Sequence, residues 1–159
     1  MRIAIASDHA ATDLKADLAE WLIEEGHDIA NLGPEKGESV DYPDYGYKLA
    51  ELVAEGTAEY GIALCGSGIG IAMSCNRHPQ VRCANVSEPL SAALARDHND
   101  ANIIALGARL VGIEMAKSCV ATFLATEFAD ANDPEGRHRR RVAKLGTPPF
   151  AADRIQTHQ

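Results

Sequence analysis

Short apolar runs alternate with longer stretches of helical spacing along most of the chain, and this limits the folds open to it. RIAIAS (2–7) is a β-branched apolar run, and residues 10–25 follow with Leu14, Leu18, Trp21 and Leu22 at helical spacing before Gly26. HDIANL (27–32) repeats the strand signal; a loop with Gly33, Pro34 and Gly37 leads to a helix from near Pro43 through Leu49, Leu52 and Val53 to Gly56. YGIALC (60–65) predicts a third strand and IAMSCNR (71–77) a compact helix. VRCANV (81–86) predicts a fourth strand, then a helix capped by Ser87 with Glu88 and Pro89 in its first turn, running through Leu90, Leu94 and Ala95. NIIALG (102–107) predicts the fifth strand. A helix over 112–128 should bury Ile113, Ala116, Val120, Phe123 and Leu124, and a basic helix spans 136–146. Parallel neighbours need crossover connections, so five apolar strands separated by helices imply a parallel sheet covered on both faces. The expected fold is a three-layer α/β/α sandwich of Rossmann-like type, with residues 1–146 as one domain and 147–159 as a tail or arm.

The 159 residues suffice for one such core, and a net charge of −8 argues against binding nucleic acid, whose phosphates demand a basic surface. No apolar stretch approaches the ~20 residues that cross a bilayer, and Asp8 falls where a signal peptide would stay apolar, so a cytoplasmic location and no membrane are expected. Cys65, Cys75, Cys83 and Cys119 show no CxxC pairing, which suggests neither disulfides nor a zinc site.

Open α/β sheets bind ligands beyond the carboxyl ends of their strands, so the residues just after each apolar run come first. These are Ser7, Asp8 and His9, then Tyr42, then Cys65 to Gly70, and finally Gly107 and Arg109. CGSGIG (65–70) is a strand-to-helix turn with three glycines, whose N–H groups could converge on an anion or could simply form a tight turn. It lacks the GK[ST] of a nucleotide loop and the spacing of a dinucleotide fingerprint. At the mouth of that turn the Cys65 thiol is expected to be partly thiolate near neutral pH and able to act as a base, whereas Cys75, Cys83 and Cys119 read as small apolar residues. His98 and Asn99 in DHND (97–100) are placed at a helix end just before the fifth strand, and His98 is a candidate for proton transfer at the carboxyl edge. Arg137 and Arg141 stand four apart on one helical face, where they could hold a phosphate or form a solvated basic patch.

Taken in order, ASDHA (6–10), DYPDY (41–45), CGSGIGIAMSCN (65–76), SEPLSAALARDHNDANIIALGAR (87–109) and GRHRRRV (136–142) resemble the type B ribose-5-phosphate isomerases of the ribose/galactose isomerase family, in the branch with a cysteine base. The resemblance covers all but 147–159. It implies an α/β/α fold, no metal or other cofactor, a sugar-phosphate substrate, and a homodimer or tetramer of dimers with shared active sites. It further implies that Cys65 is the base that moves a proton between C2 and C1 of the opened aldose, that Ser67 assists transfer between the two oxygens, and that His98 opens the furanose ring. Backbone amides from Gly66 through Gly68 and Ile69 to Gly70 match the anion hole, Asp8, Asn99 and Tyr42 the sugar contacts, and His9, Arg109, Arg137 and Arg141 the phosphate pocket, with His138 beside them and the two helical arginines entering from the partner.

Other readings of the same residues are isomerases of hexose 6-phosphates or four-carbon ketose phosphates, since enediol chemistry does not depend on chain length, and a non-catalytic module that binds a phosphate ligand. A metal-dependent isomerase is a third, although Asp8, His9, Cys65 and His98 have no recognised ligand spacing.

Overall fold

In a computed structural model, which describes residues 1–128 and 133–149, the five apolar runs pair as one parallel sheet in the order β2-β1-β3-β5-β4. The strands are β1 (Arg2–Ser7), β2 (Asp28–Asn31), β3 (Tyr60–Cys65), β4 (Cys83–Asn85) and β5 (Ile103–Gly107). The helices are α1 (Thr12–Glu24), α2 (Tyr42–Ala54), α3 (Ile69–Cys75), α4 (Pro89–Asn99), α5 (Ile113–Ala125) and α6 (Arg137–Leu145). The sequence predicts each of these, with boundaries shifted by a few residues. Most of the expected 147–159 tail, from residue 150 on, lies outside the described residues. Among the described residues, no helix is long and apolar enough to cross a membrane.

Strand alternation sends large and small residues to opposite faces. Ile3, Ile5, Ile62, Leu64, Ile104 and Leu106 meet Leu18 and Leu22 of α1, Ala92 and Ala95 of α4, and Ala116, Val120 and Phe123 of α5. Ala4, Ala6, Ala63 and Ala105 meet Leu49, Ala50 and Val53 of α2, and Ile71, Ala72 and Cys75 of α3. The small residues let α2 and α3 lie close to the sheet and to each other. A Cβ on Gly46 of α2 would stand 2.6 Å from Ser74 Cβ, so glycine is required at that crossing.

One sequence expectation changes. Glu88, not Ser87, caps α4: its carboxylate accepts from the Leu90 and Ser91 N–H groups at 2.6 and 2.7 Å. Pro89, with its fixed φ, takes the first helical position, so the cap falls one residue before it. Leu90 and Leu94 then face outward, Leu90 being 67% exposed, and Arg96 is buried instead. Lys15 of α1 is a charged residue enclosed by the fold. It is buried, donating to Asn31 Oδ1 at 2.8 Å and to the Pro34 carbonyl at 3.1 Å, and this ties α1 to the loop after β2. Burial pushes its ammonium below the usual lysine range, opposed by Glu35.

Candidate active site

The chain runs outward from β1 to β2 and then returns across β1 to β3, so a crevice opens between the carboxyl ends of β1 and β3. A cavity of about 290 Å³ fills it, lined by Asp8, Tyr42, Cys65, Gly66, Ser67, Gly70, Arg109 and Leu110. Each strand end delivers a different group. After β1, the Asp8 carboxylate caps a short 3-10 turn by accepting from the Ala10 N–H at 2.9 Å, which fixes it at the cavity wall. From β3, Cys65 reaches the cavity on the small-residue face, and its sulfur accepts the Gly68 N–H at 3.1 Å. After β5, Arg109 lies over Gly66, whose Cβ position is 3.3 Å from the guanidinium carbon. The Arg109 side chain has no acidic partner among the described residues, so it is free to meet an anion.

Glycine is needed in the 65–70 turn for geometric reasons. Gly68 has φ +77°, and a Cβ there would lie 2.9 Å from the Leu106 backbone. A Cβ on Gly107 would lie 2.6 Å from the Ser67 backbone, so the turn rests directly on the end of β5. At Gly70 the obstacle is the Tyr42 ring, 2.7 Å away, which lies across the first turn of α3. Two N–H groups expected to face an anion are occupied within the turn itself: Gly68 donates to Cys65 Sγ and Ile69 to Ser67 Oγ at 3.3 Å. The Ile69 side chain projects to solvent.

His9 does not line this cavity. Its Nδ1 lies 3.0 Å from the Val40 carbonyl and 3.3 Å from the Val40 N–H, holding the segment just before Tyr42 and α2. The other cysteines are packing residues, as the sequence suggests. Cys75 and Cys119 are fully buried and Cys83 is half-buried; burial pushes the Cys119 thiol up, and the Cys75 thiol together with burial does so more strongly for Cys83.

His98 and Asn99 end α4 just before β5, as the sequence places them, but not at the carboxyl edge expected for His98. A crossover helix that leaves the carboxyl end of β4 must finish at the amino edge, and they form the last turn of α4 there, across the sheet from Cys65. The His98 ring stacks on His138 of α6, with centroids 4.5 Å apart and planes within 9°. His138 is buried, its backbone N–H donating to Asp133 Oδ2 at 2.6 Å and its Nε2 lying 3.4 Å from Arg137 Nε. Burial raises the Asp133 carboxyl, but the N–H groups of His138 and Arg137 and the electrostatic effect of those two side chains outweigh it, leaving Asp133 below its usual range. Arg137 and Arg141 lie exposed on α6. One chain thus presents two separated clusters: Asp8, Tyr42, Cys65, Ser67 and Arg109 at the carboxyl edge, and His98, Asn99, Arg137, His138 and Arg141 at the amino edge.

Two residues of the carboxyl-edge cluster go unmarked in the sequence reading. Leu110 lines the cavity directly after Arg109, and the Asn85 carboxamide at the end of β4 sits 2.5 Å from the Cβ position of Gly68. Leu110 follows the end of β5, so the rule that singles out the others would have found it, whereas Asn85 lies within the predicted 81–86 strand and carries no such signal. Among the described residues, no three His, Cys, Asp or Glu side chains cluster closely enough to hold a metal ion.

Residues 3–145 match the ribose/galactose isomerase family. The chain is 38% identical over 144 residues to ribose-5-phosphate isomerase B of Escherichia coli, an alignment covering 91% of this chain and 93% of that protein. It is 39% identical over 147 residues to D-erythrulose-4-phosphate isomerase of Pectobacterium atrosepticum, covering 92% and 93%. A solved structure of ribose-5-phosphate isomerase B from Clostridium thermocellum superposes with a TM-score of 0.87 at 43% identity, covering 92% of this chain and 95% of that one. With sequence and fold in agreement over nearly its whole length, the chain belongs to the ribose/galactose isomerase family.

Proposed function

We propose that this protein is an aldose-ketose isomerase that interconverts ribose 5-phosphate and ribulose 5-phosphate. The observation that carries the reading is Cys65 at the cavity mouth, its sulfur seated on the Gly66–Gly70 turn and facing a space shared with Asp8, Ser67 and Arg109. In this reading Cys65 removes the C2 proton of the opened aldose, the electron pair moves into a cis-enediolate, and the same proton, or one exchanged with solvent, returns at C1. Negative charge develops on the substrate oxygens, where fixed N–H donors of the turn stabilise it, and the Ser67 hydroxyl passes a proton between O1 and O2. Asp8 and Tyr42 contact the sugar and Arg109 takes the phosphate, while His9 holds the segment before Tyr42 through Val40.

Ring opening falls to His98, with Asn99, Arg137, His138 and Arg141 supplied by a second copy. Support for sharing comes from the separation of the two clusters across one sheet, which leaves each half-site in need of the other from a partner. A homodimer or a tetramer of dimers would supply it.

The relative named for D-erythrulose 4-phosphate, at an identity close to that of the ribose enzyme, favours a second reading in which the substrate is a sugar phosphate of another length. The test is isomerisation by purified protein of ribose 5-phosphate, a hexose 6-phosphate and a four-carbon ketose phosphate, side by side. Preferred turnover of the pentose is expected. Preference for another chain length would overturn the substrate, and binding without turnover of any would replace the enzyme with a phosphate-binding module.

A further inference from the structure

Arg96 is a charged side chain in the core, 7% exposed, that none of the proposed chemistry uses. Its guanidinium lies over the rings of Tyr60 and Phe123, 4.9 and 5.7 Å from their centroids. Nε donates to the Thr126 carbonyl at 3.3 Å and Nη2 to the Tyr60 hydroxyl at 3.1 Å, which fixes the fork to the end of α5 and the start of β3. Nη1 then donates to Asp100 Oδ1 and to the Ala101 carbonyl, both at 2.8 Å.

Asp100 ends α4 and has φ +46°, the one positive value at a non-glycine position among the described residues. A second guanidinium grips it from the other side: Arg82 Nη2 donates to Asp100 Oδ2 at 3.0 Å and Nε to the Asp100 carbonyl at 2.7 Å. Between Arg96 and Asp100 lie Asp97, His98 and Asn99. The turn that carries His98 is therefore bolted to the sheet and α5 from beneath, while Asp97 Oδ2, 3.3 Å from His98 Nε2, and the His138 ring hold the imidazole from the side.

We propose that Arg96, with Asp100 and Arg82, is a positioning clamp that aims His98 for the ring-opening step; this rests on the reading of His98 as the ring opener. Buried charge pairs contribute little net stability over apolar packing, and a methionine could fill the slot between Tyr60 and Phe123, so holding the fold together does not account for the network. What it does account for is the fixed direction of the last turn of α4, to which a long side chain acting across a subunit boundary is sensitive.

The test separates ring opening from proton transfer. Ribose 5-phosphate is largely a closed furanose, whereas ribulose 5-phosphate has its C5 oxygen esterified and stays open. Exchange of its C1 proton with deuterated solvent therefore needs the base but no ring step. For Arg96→Met and Asp100→Gly, turnover of ribose 5-phosphate should fall about tenfold to a hundredfold while that exchange stays within about threefold of the unaltered protein. Glycine suits the positive φ at position 100, so Asp100→Gly removes the carboxylate without straining the backbone and carries the comparison if Arg96→Met does not fold. Equal loss of turnover and exchange, no loss of either, or failure of both variants to fold would each overturn the clamp. His98→Asn is the reference: if it does not separate the two rates, the ring-opening assignment fails and the clamp with it; if it does and the two variants do not, the clamp alone fails.

Discussion

Replacing Gly70 with alanine tests whether Tyr42 serves as a substrate-facing wall of the cavity beside Cys65. An added Cβ would lie 2.7, 2.8 and 3.0 Å from Tyr42 Cζ, Cε2 and Cε1, across the face of the ring. Ordinary carbon contacts are about 3.5–4.0 Å, so the ring must retreat by about 1 Å or swing away. It can do so at small cost, because Tyr42 is 41% exposed and its hydroxyl has no hydrogen-bond partner among the described residues. Alanine is also the better helix former by about 1 kcal/mol, which offsets the lost contact. The melting temperature should therefore move by no more than about 3 °C, while KM rises about tenfold as the sugar loses that wall. Thermal melts and steady-state kinetics of the single variant, of Tyr42→Ala and of the double variant form a cycle. In the Tyr42→Ala background the ring that crowds the new methyl is gone, so Gly70→Ala should add little there. An equal effect in both backgrounds would refute the steric argument and place the damage in the backbone of the turn. A melt lowered by more than about 6 °C would refute the claim that the ring yields cheaply.

Cys65→Ala should reduce turnover by about a thousandfold or more with substrate binding largely kept, read from kcat and from direct binding; residual turnover above about a tenth would remove the thiol from the base role. Arg141→Ala should raise KM through lost phosphate binding, and mixed dimers of Arg141→Ala and Cys65→Ala chains should regain activity; no recovery would count against shared sites. The Glu88 cap sets a pH dependence. Hydrogen bonds from Ser91 first, and then from the Leu90 N–H, hold its carboxyl below the ordinary 4.5. A lowered folded value means the cap's stabilisation is complete above about pH 4.5 and is lost as pH falls through that lower value. Glu88→Gln should therefore melt a few degrees lower at pH 7, and the gap should close in acid; a gap unchanged at pH 3 would show that the charge on Glu88 does not matter.

The sequence by itself determined the strands and helices, because apolar period and glycine punctuation are local signals that survive without knowledge of neighbours. It also determined Cys65, Ser67 and the glycines of the turn, since a strand end followed by CGSGIG constrains its own geometry whatever surrounds it. The end of α4 at His98 and Asn99 just before β5 was legible too, whereas its cap fell on Glu88 instead of the expected Ser87 because proline at 89 takes the first helical position.

Other features were decided by tertiary structure alone. Lys15 and Arg96 look like solvated charges on helical faces, and they are buried because carbonyls and carboxylates from Asn31, Pro34, Asp100, Ala101 and Thr126 surround them in space. The contact of Tyr42 with Gly70 and the fit of Gly46 against Ser74 depend on how closely α2 and α3 approach over the alanine face of the sheet. That approach is a distance between elements far apart in the chain. A residue pattern records which side of an element is apolar, but only packing fixes what that side touches and how near it comes.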